Sequence, residues 1–177
     1  MKKQFWIIGS ALLIASFIIN KWFLAFDEKI LSFFQILKFP LMENIMVFFS
    51  STVFFVLVIA VFSFLIHKKK DIFHFLLGTG IVYLVCYALK EIIKLQRPLD
   101  SIESGFGFPS GHAAVYFFIA AFMTDKFEKD KFHFILLAVI VALSRVYLNV
   151  HYLSQVISGG LLGIGVYQLY KKWLKMN

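Results

Sequence analysis

Asn44–Ile66 reads NIMVFFSSTVFFVLVIAVFSFLI, 23 consecutive residues without a charged side chain. A helix needs about 20 mostly apolar residues to cross the hydrocarbon of a bilayer, so this run by itself predicts a spanning helix. Working outward, three more runs qualify: Gln4–Asn20 with 17 residues, Ile72–Leu89 with 18 and Tyr152–Tyr170 with 19. Gly111–Thr124 and Phe132–Ser144 are shorter, at 14 and 13, and the second can continue as helix through Arg145 to Val150. These two are expected to line a polar cavity. Ile30–Met42 is apolar but interrupted by Lys38 and Pro40, which predicts an interfacial amphipathic piece. The expected fold is all-α: six transmembrane helices in a single membrane-embedded domain, residues 1–177. Lys2 and Lys3 before an apolar run also fit a signal peptide, but no small-residue cleavage site follows at Asn20-Lys21-Trp22-Phe23. The run is therefore expected to stay as the first helix.

Composition agrees. Of the 177 residues, 60% are hydrophobic and 16% charged, against about 45–50% and about 25% in soluble domains. That excludes an ordinary soluble domain and a disordered chain. One cysteine, Cys86, excludes an internal disulfide framework, and five scattered histidines make a structural zinc site improbable. The net charge of +8 does not point to nucleic acid, because the lysines cluster between the apolar runs. With six spans, both termini share one side. That side carries 11 positive charges (Lys2, Lys3, Lys68–Lys70, Lys126, Lys129, Lys131, Lys171, Lys172 and Lys175) and the other side seven. The positive-inside rule then places both termini in the cytoplasm of a plasma-membrane protein, and the segment Lys90–His112 outside.

Three polar patches fall on that outer side. Lys90 and Arg97, seven residues apart, are expected to share a helical face. Pro109-Ser110-Gly111-His112 opens a helix, where backbone amides attract anions. Ser144-Arg145 is followed by His151 and Gln155, four apart. The only two arginines of the chain, Arg97 and Arg145, both lie in these patches. Arginine's planar fork grips phosphate bidentately, cations and amides stabilise charge on a phosphoryl group in transfer, and a histidine can attack phosphorus or protonate a leaving oxygen. His67, His74 and His133 flank the cytoplasmic loops and are read as ordinary surface residues. The Gly-x3-Gly spacing at Gly159 and Gly163 is read as close helix packing, within the chain or between chains.

The pattern Lys-x6-Arg-Pro, Pro-Ser-Gly-His, Ser-Arg-x5-His, at Lys90, Arg97, Pro98, Pro109–His112, Ser144, Arg145 and His151, resembles the type-2 phosphatidic acid phosphatase family. The resemblance implies a six-span helical bundle with its site at the outer membrane surface, and removal of phosphate from lipid phosphates and diphosphates without a metal or cofactor. A soluble haloperoxidase branch shares the motifs, but the six spans argue against it. Carried over, the resemblance implies His151 as nucleophile and His112 as general acid. It implies Lys90, Arg97 and Arg145 as phosphate-binding cations, Ser110 and Gly111 as donors to the same oxygens, and Ser144 and Pro109 as shaping residues. Among substrates, a polyprenyl (undecaprenyl) diphosphate ranks first, then phosphatidylglycerophosphate and phosphatidic acid.

One position departs from the family. Where the third motif ends in aspartate, this chain has Gln155. An amide oxygen can accept a hydrogen bond from the nucleophile's Nδ1–H, so orientation can survive, but the negative charge does not. Three readings follow: a slow enzyme, an enzyme with a substitute carboxylate from Asp100 or Glu103, or a catalytically impaired lipid-phosphate binder. A transporter using the cationic cleft for passage has only the six spans in its favour.

Overall fold

The computed structural model describes residues 24–176, and all its regular elements are helical. They are α1 (Leu24–Ile36), α2 (Pro40–Ser50), α3 (Thr52–Leu65), α4 (Lys69–Ile93), α5 (Gly111–Lys126), α6 (Lys131–Tyr147) and α7 (Leu153–Met176), with one 3-10 turn at Glu128–Asp130. The expected first span, Gln4–Asn20, and its signal-peptide alternative lie outside the described residues.

The middle of the bundle is α5, which packs against α4, α6 and α7. Its 16 residues make a rod of about 24 Å, and the side chains of Phe118, Phe122 and Met123 sink into a core shared with Phe75, Val82, Val141 and Tyr167. Two glycines allow α7 to lie directly on the α5 backbone. A Cβ added at Gly159 would stand 2.4 Å from Ser110 O, and one at Gly163 would stand 2.0 Å from Ala114 O. The Gly-x3-Gly spacing therefore packs within the chain.

Three boundaries differ from the sequence expectations. Ile30–Met42 is not one interfacial piece: α1 ends at Ile36, and Pro40 starts α2. Proline suits the first helical turn, where its missing N–H costs nothing. The run Asn44–Ile66 is not one rod, since α2 and α3 meet at 54°. The Ser51 hydroxyl accepts from Phe54 N at 3.1 Å, so Ser-Ser replaces part of the helical ladder with a side-chain bond. Finally, α6 stops at Tyr147 rather than Val150. Asn149 takes a left-handed conformation (φ 60°), and the amides of Val150 and His151 both turn back to Arg145 O, at 3.1 and 3.2 Å.

By length and composition, α4 can cross a membrane alone and α2–α3 can do so as a bent pair. Phe64, Phe73, Leu76, Tyr83 and Leu84 turn outward along them, an apolar surface suited to lipid rather than water. Among the described residues, the basic segments around Lys69, Lys126 and Lys171 meet at one end of the bundle. There Lys126 pairs with Asp71 at 2.7 Å, Lys171 pairs with Asp125, and His74 Nδ1 lies 3.0 Å from Tyr170 Oη. His74 thus stays with the basic end, as expected, and the motif residues gather at the other.

Gly163→Val should force α7 off α5 and destabilise the fold by about 1–3 kcal/mol, read as a lower melting temperature in detergent. Gly80→Ala, whose added Cβ meets nothing within 4 Å, should leave the melt unchanged.

Candidate active site

Four helix ends and one kink build the site. α4 ends in a left-handed Lys94 (φ 54°), so Lys90 and Arg97 do not share a helical face as expected. Arg97 sits in the following loop, because a residue preceding proline avoids helical geometry. Both side chains still reach the same place. Lys90 Nζ donates to Phe106 O at 2.7 Å. Arg97 Nη1 lies 2.8 Å from Val150 O, 3.0 Å from Glu103 Oε2 and 3.2 Å from His151 Nε2, so its two hydrogens serve three acceptors.

Arg145, at the end of α6, is 2% exposed. It donates through Nη1 to Ser50 Oγ and through Nη2 to Glu103 Oε1. Glu103 therefore bridges the two arginines with its two oxygens. Burial pushes its carboxyl up, but the guanidiniums of Arg145 and Arg97 outweigh that and hold it below the ordinary carboxylate range. Ser50 gains its role from the kink. With Phe54 N satisfied by Ser51, Ser50 O is released from the helix and accepts from His112 Nε2 at 3.1 Å. That bond puts the proton of a neutral His112 ring on Nε2.

At the other side of Arg97, Gln155 holds His151. Gln155 Nε2 donates to Gln96 O at 2.7 Å, while Oε1 accepts from Tyr152 N at 3.3 Å and lies 3.0 Å from His151 Nδ1. A carbonyl at one end and an N–H at the other fix which way the amide points. His151 Nδ1 therefore carries the proton, and the Nε2 lone pair faces Arg97. Gly107 makes room for this arrangement, since a Cβ there would stand 2.5 Å from Gln155 Oε1. Burial first, and then the charges of Lys90, Arg145 and Arg97, hold His151 well below its ordinary value, against the upward push of the Gln155 bond. The imidazole is kept neutral.

Three of the buried side-chain atoms without a hydrogen-bond partner are Arg97 Nε, Arg145 Nε and Ser110 Oγ, all motif groups. Unmet buried donors cost about 1–3 kcal/mol each, and an oxyanion would satisfy them. The Ser110 amide is already spent on Gln155 O at 3.0 Å, so Ser110 can offer its hydroxyl rather than its N–H. Gly111 N–H heads α5 with open space beside it. Ser144 differs from expectation in detail: its hydroxyl turns back to Val141 O at 2.7 Å, away from the cations. Asp100 is exposed and Glu103 is committed to the arginines, so neither is bonded to His151 in place of an aspartate. Sequence reasoning missed Ser50, Gln96 and Gly107. The Ser-Ser pair inside an apolar run was a readable signal for the first; a backbone carbonyl and a glycine gave none.

A sequence profile described as the PAP2 superfamily matches residues 71–177. The chain belongs to the PAP2 superfamily. Phosphatidylglycerophosphatase B of Bacillus subtilis (strain 168) is 35% identical over 130 residues, covering 66% of this chain and 64% of that protein. Dolichyldiphosphatase 1 of Dictyostelium discoideum is 31% identical over 118 residues, covering 56% of this chain and 52% of that protein. Less than two thirds of either relative is thus spanned. Among solved structures, a transmembrane PAP2-type phosphatidylglycerolphosphate phosphatase from Bacillus subtilis superposes with TM-score 0.74 at 26% identity, covering 95% of this chain and 96% of that one. LpxE of Aquifex aeolicus shares the fold, with TM-score 0.68 at 22% identity over 81% of this chain and 93% of that one. PAP2 membership and the apolar outer surface agree on a membrane protein.

The Glu103 carboxylate stands where an oxyanion would meet both guanidiniums. Glu103→Gln should raise the affinity for inorganic phosphate by roughly tenfold, ~1.4 kcal/mol, measured by calorimetry on the detergent-solubilised protein. Unchanged affinity would show that the carboxylate does not compete.

Proposed function

We propose that this PAP2 protein is a membrane lipid phosphatase that acts through a phospho-histidine on His151. The observation that carries this reading is the Nε2 lone pair of a neutral, oriented His151 beside two arginines whose Nε–H donors are unmet. The phosphate enters between Arg97, Arg145 and Lys90, displaces Glu103, and takes hydrogen bonds from Ser110 Oγ–H and Gly111 N–H. His151 Nε2 attacks phosphorus, and the bond from phosphorus to the lipid-side oxygen breaks. His112, doubly protonated once the phosphate is bound, gives its Nδ1 proton to that oxygen and keeps its Nε2–H on Ser50 O. Water then attacks the phospho-histidine while His112 takes its proton. Inorganic phosphate leaves, and Nε2 regains its lone pair. Apart from the attacking water, all these steps use groups of the one chain, acting as a single domain of six spans with the site at the outer surface and both termini cytoplasmic.

The substrate class is a lipid phosphomonoester or diphosphate. The names of the Bacillus subtilis relatives favour phosphatidylglycerophosphate more than the sequence ranking did, and the dolichyldiphosphatase likeness keeps polyprenyl diphosphate beside it. Phosphate release from liposomes carrying each lipid separates them. His151→Ala should abolish release from all, and retained release in that variant would sink the mechanism.

The pH profile tests the role of Gln155. His151 is inactive as a nucleophile once protonated, and its pKa lies well below 6.5. The acid limb of kcat/KM should therefore fall well below that value. Gln155→Asp adds a negative charge beside Nδ1–H, stabilises the imidazolium and should move the acid limb upward toward neutrality. An unmoved limb would mean that a group other than His151 sets it.

A further inference from the structure

Outside the cradle, one buried acid has no part in the scheme above. Asp27 of α1 is 2% exposed, and among the described residues it is the only buried carboxylate. It lies 127 positions from its partner. Asp27 Oδ1 accepts from Ser154 N at 2.9 Å, and Oδ2 accepts from Ser154 Oγ–H. The neighbouring Glu28 Oε1 accepts from Tyr152 Oη–H at 3.2 Å. Two consecutive acids of α1 thus grip the residues that lie between His151 and Gln155.

The location gives the grip a meaning. α7 starts at Leu153, so Tyr152 stands at its N-cap, Ser154 is the second helical residue and Gln155 the third. In a capping box, the third residue's side chain reaches back to the N-cap N–H, and the N-cap side chain accepts from an early helical N–H. Gln155 supplies the first half through its bond to Tyr152 N. Tyrosine cannot supply the second, because its hydroxyl lies too far from its own backbone. Asp27 does so from another helix, and its negative charge suits the positive end of α7.

We propose that Asp27 is a positioning residue for His151: it completes, from α1, the split capping box whose other half, Gln155, fixes the His151 tautomer. The proposal rests on the catalytic reading above. Without Asp27 the first turn of α7 loosens, the Gln155 amide drifts from Nδ1, and the imidazole divides between two tautomers. Only one of them presents a lone pair to phosphorus. Asp27 touches no substrate, so its removal should act on kcat and leave KM alone.

The test compares wild type, Asp27→Ala, Asp27→Asn and Ser154→Ala, purified whole in detergent micelles. Phosphatidylglycerophosphate hydrolysis is measured per folded protein, and nitrogen NMR of 15N-histidine-labelled protein reports the tautomer of His151, assigned with His151→Ala. Asp27→Ala should lower kcat by roughly tenfold, as expected for a lost cap acting on a catalytic turn, with KM unchanged and the single-tautomer signal of His151 turned into an average. Asp27→Asn keeps an oxygen for Ser154 N–H and should recover most of both. A folded Asp27→Ala with unaltered kcat and tautomer overturns the proposal, and so does a loss of kcat with the tautomer intact. If Asp27→Ala does not fold, Ser154→Ala, which removes the hydroxyl and keeps the Ser154 N–H bond to Asp27, decides by the same two readouts. A wild type that releases no phosphate from any lipid would count against the phosphatase reading instead, and the tautomer comparison would still decide the role of Asp27.

Discussion

Two guanidiniums must be kept charged at the end of an apolar bundle, and most of the site is arranged around that demand. Arg145 is almost wholly buried, and an unpaired charge there would cost several kcal/mol. Its partners come from distant places. Glu103 descends from the loop after α4, and Ser50 arrives through the kink between α2 and α3. The same two partners extend the contact in both directions: Ser50 O reaches His112, and Glu103 reaches Arg97, which reaches His151. Gln155 and Gln96 O close the far end. A continuous path of hydrogen bonds therefore runs between the two histidines through both arginines. Moving any one helix end would break it.

Gln155 shows how orientation separates from charge. A carboxylate at this position would offer two acceptors and a negative charge. The amide offers one acceptor and one donor, and the chain uses both. The donor needs the Gln96 carbonyl, and the longer side chain needs the space left by Gly107. These two features belong to the substitution: they make glutamine a fitted residue rather than a damaged aspartate. What is given up is basicity at His151. With three cations nearby and no anion on Nδ1, the ring stays neutral at lower pH and is a weaker base. That suits the proposed role of His151 as a nucleophile, which must not be protonated, at some loss of intrinsic strength.

The sequence carried the site's composition better than its geometry. The motif spacing and the family resemblance singled out Arg97, Arg145, His112 and His151, and Gln155 stood out as the departure from that pattern. The structure brings all five into one set of contacts. Helix presence was legible from apolar run length, but helix ends were not. The Ser50–Ser51 break, the left-handed Lys94 and Asn149, and the stop at Tyr147 depend on local backbone choices that a hydropathy pattern averages away. Gln96 takes part through a carbonyl that every residue has, and Gly107 through the absence of a side chain, so neither type announces its role. Asp27 was hidden for a different reason: its partner lies 127 residues along the chain, and only packing of α1 on α7 brings them together.

The central claim is that His151 Nε2 forms the bond to phosphorus. The direct measurement is a rapid alkaline quench of the full-length protein during turnover of lipid labelled in its terminal phosphate, followed by mass spectrometry of the peptide containing His151. Phosphate is expected on His151 Nε2, appearing before inorganic phosphate and absent in His151→Ala. Steady phosphate release with His151 never labelled, on a timescale that resolves the first turnover, would contradict it and favour direct attack by water.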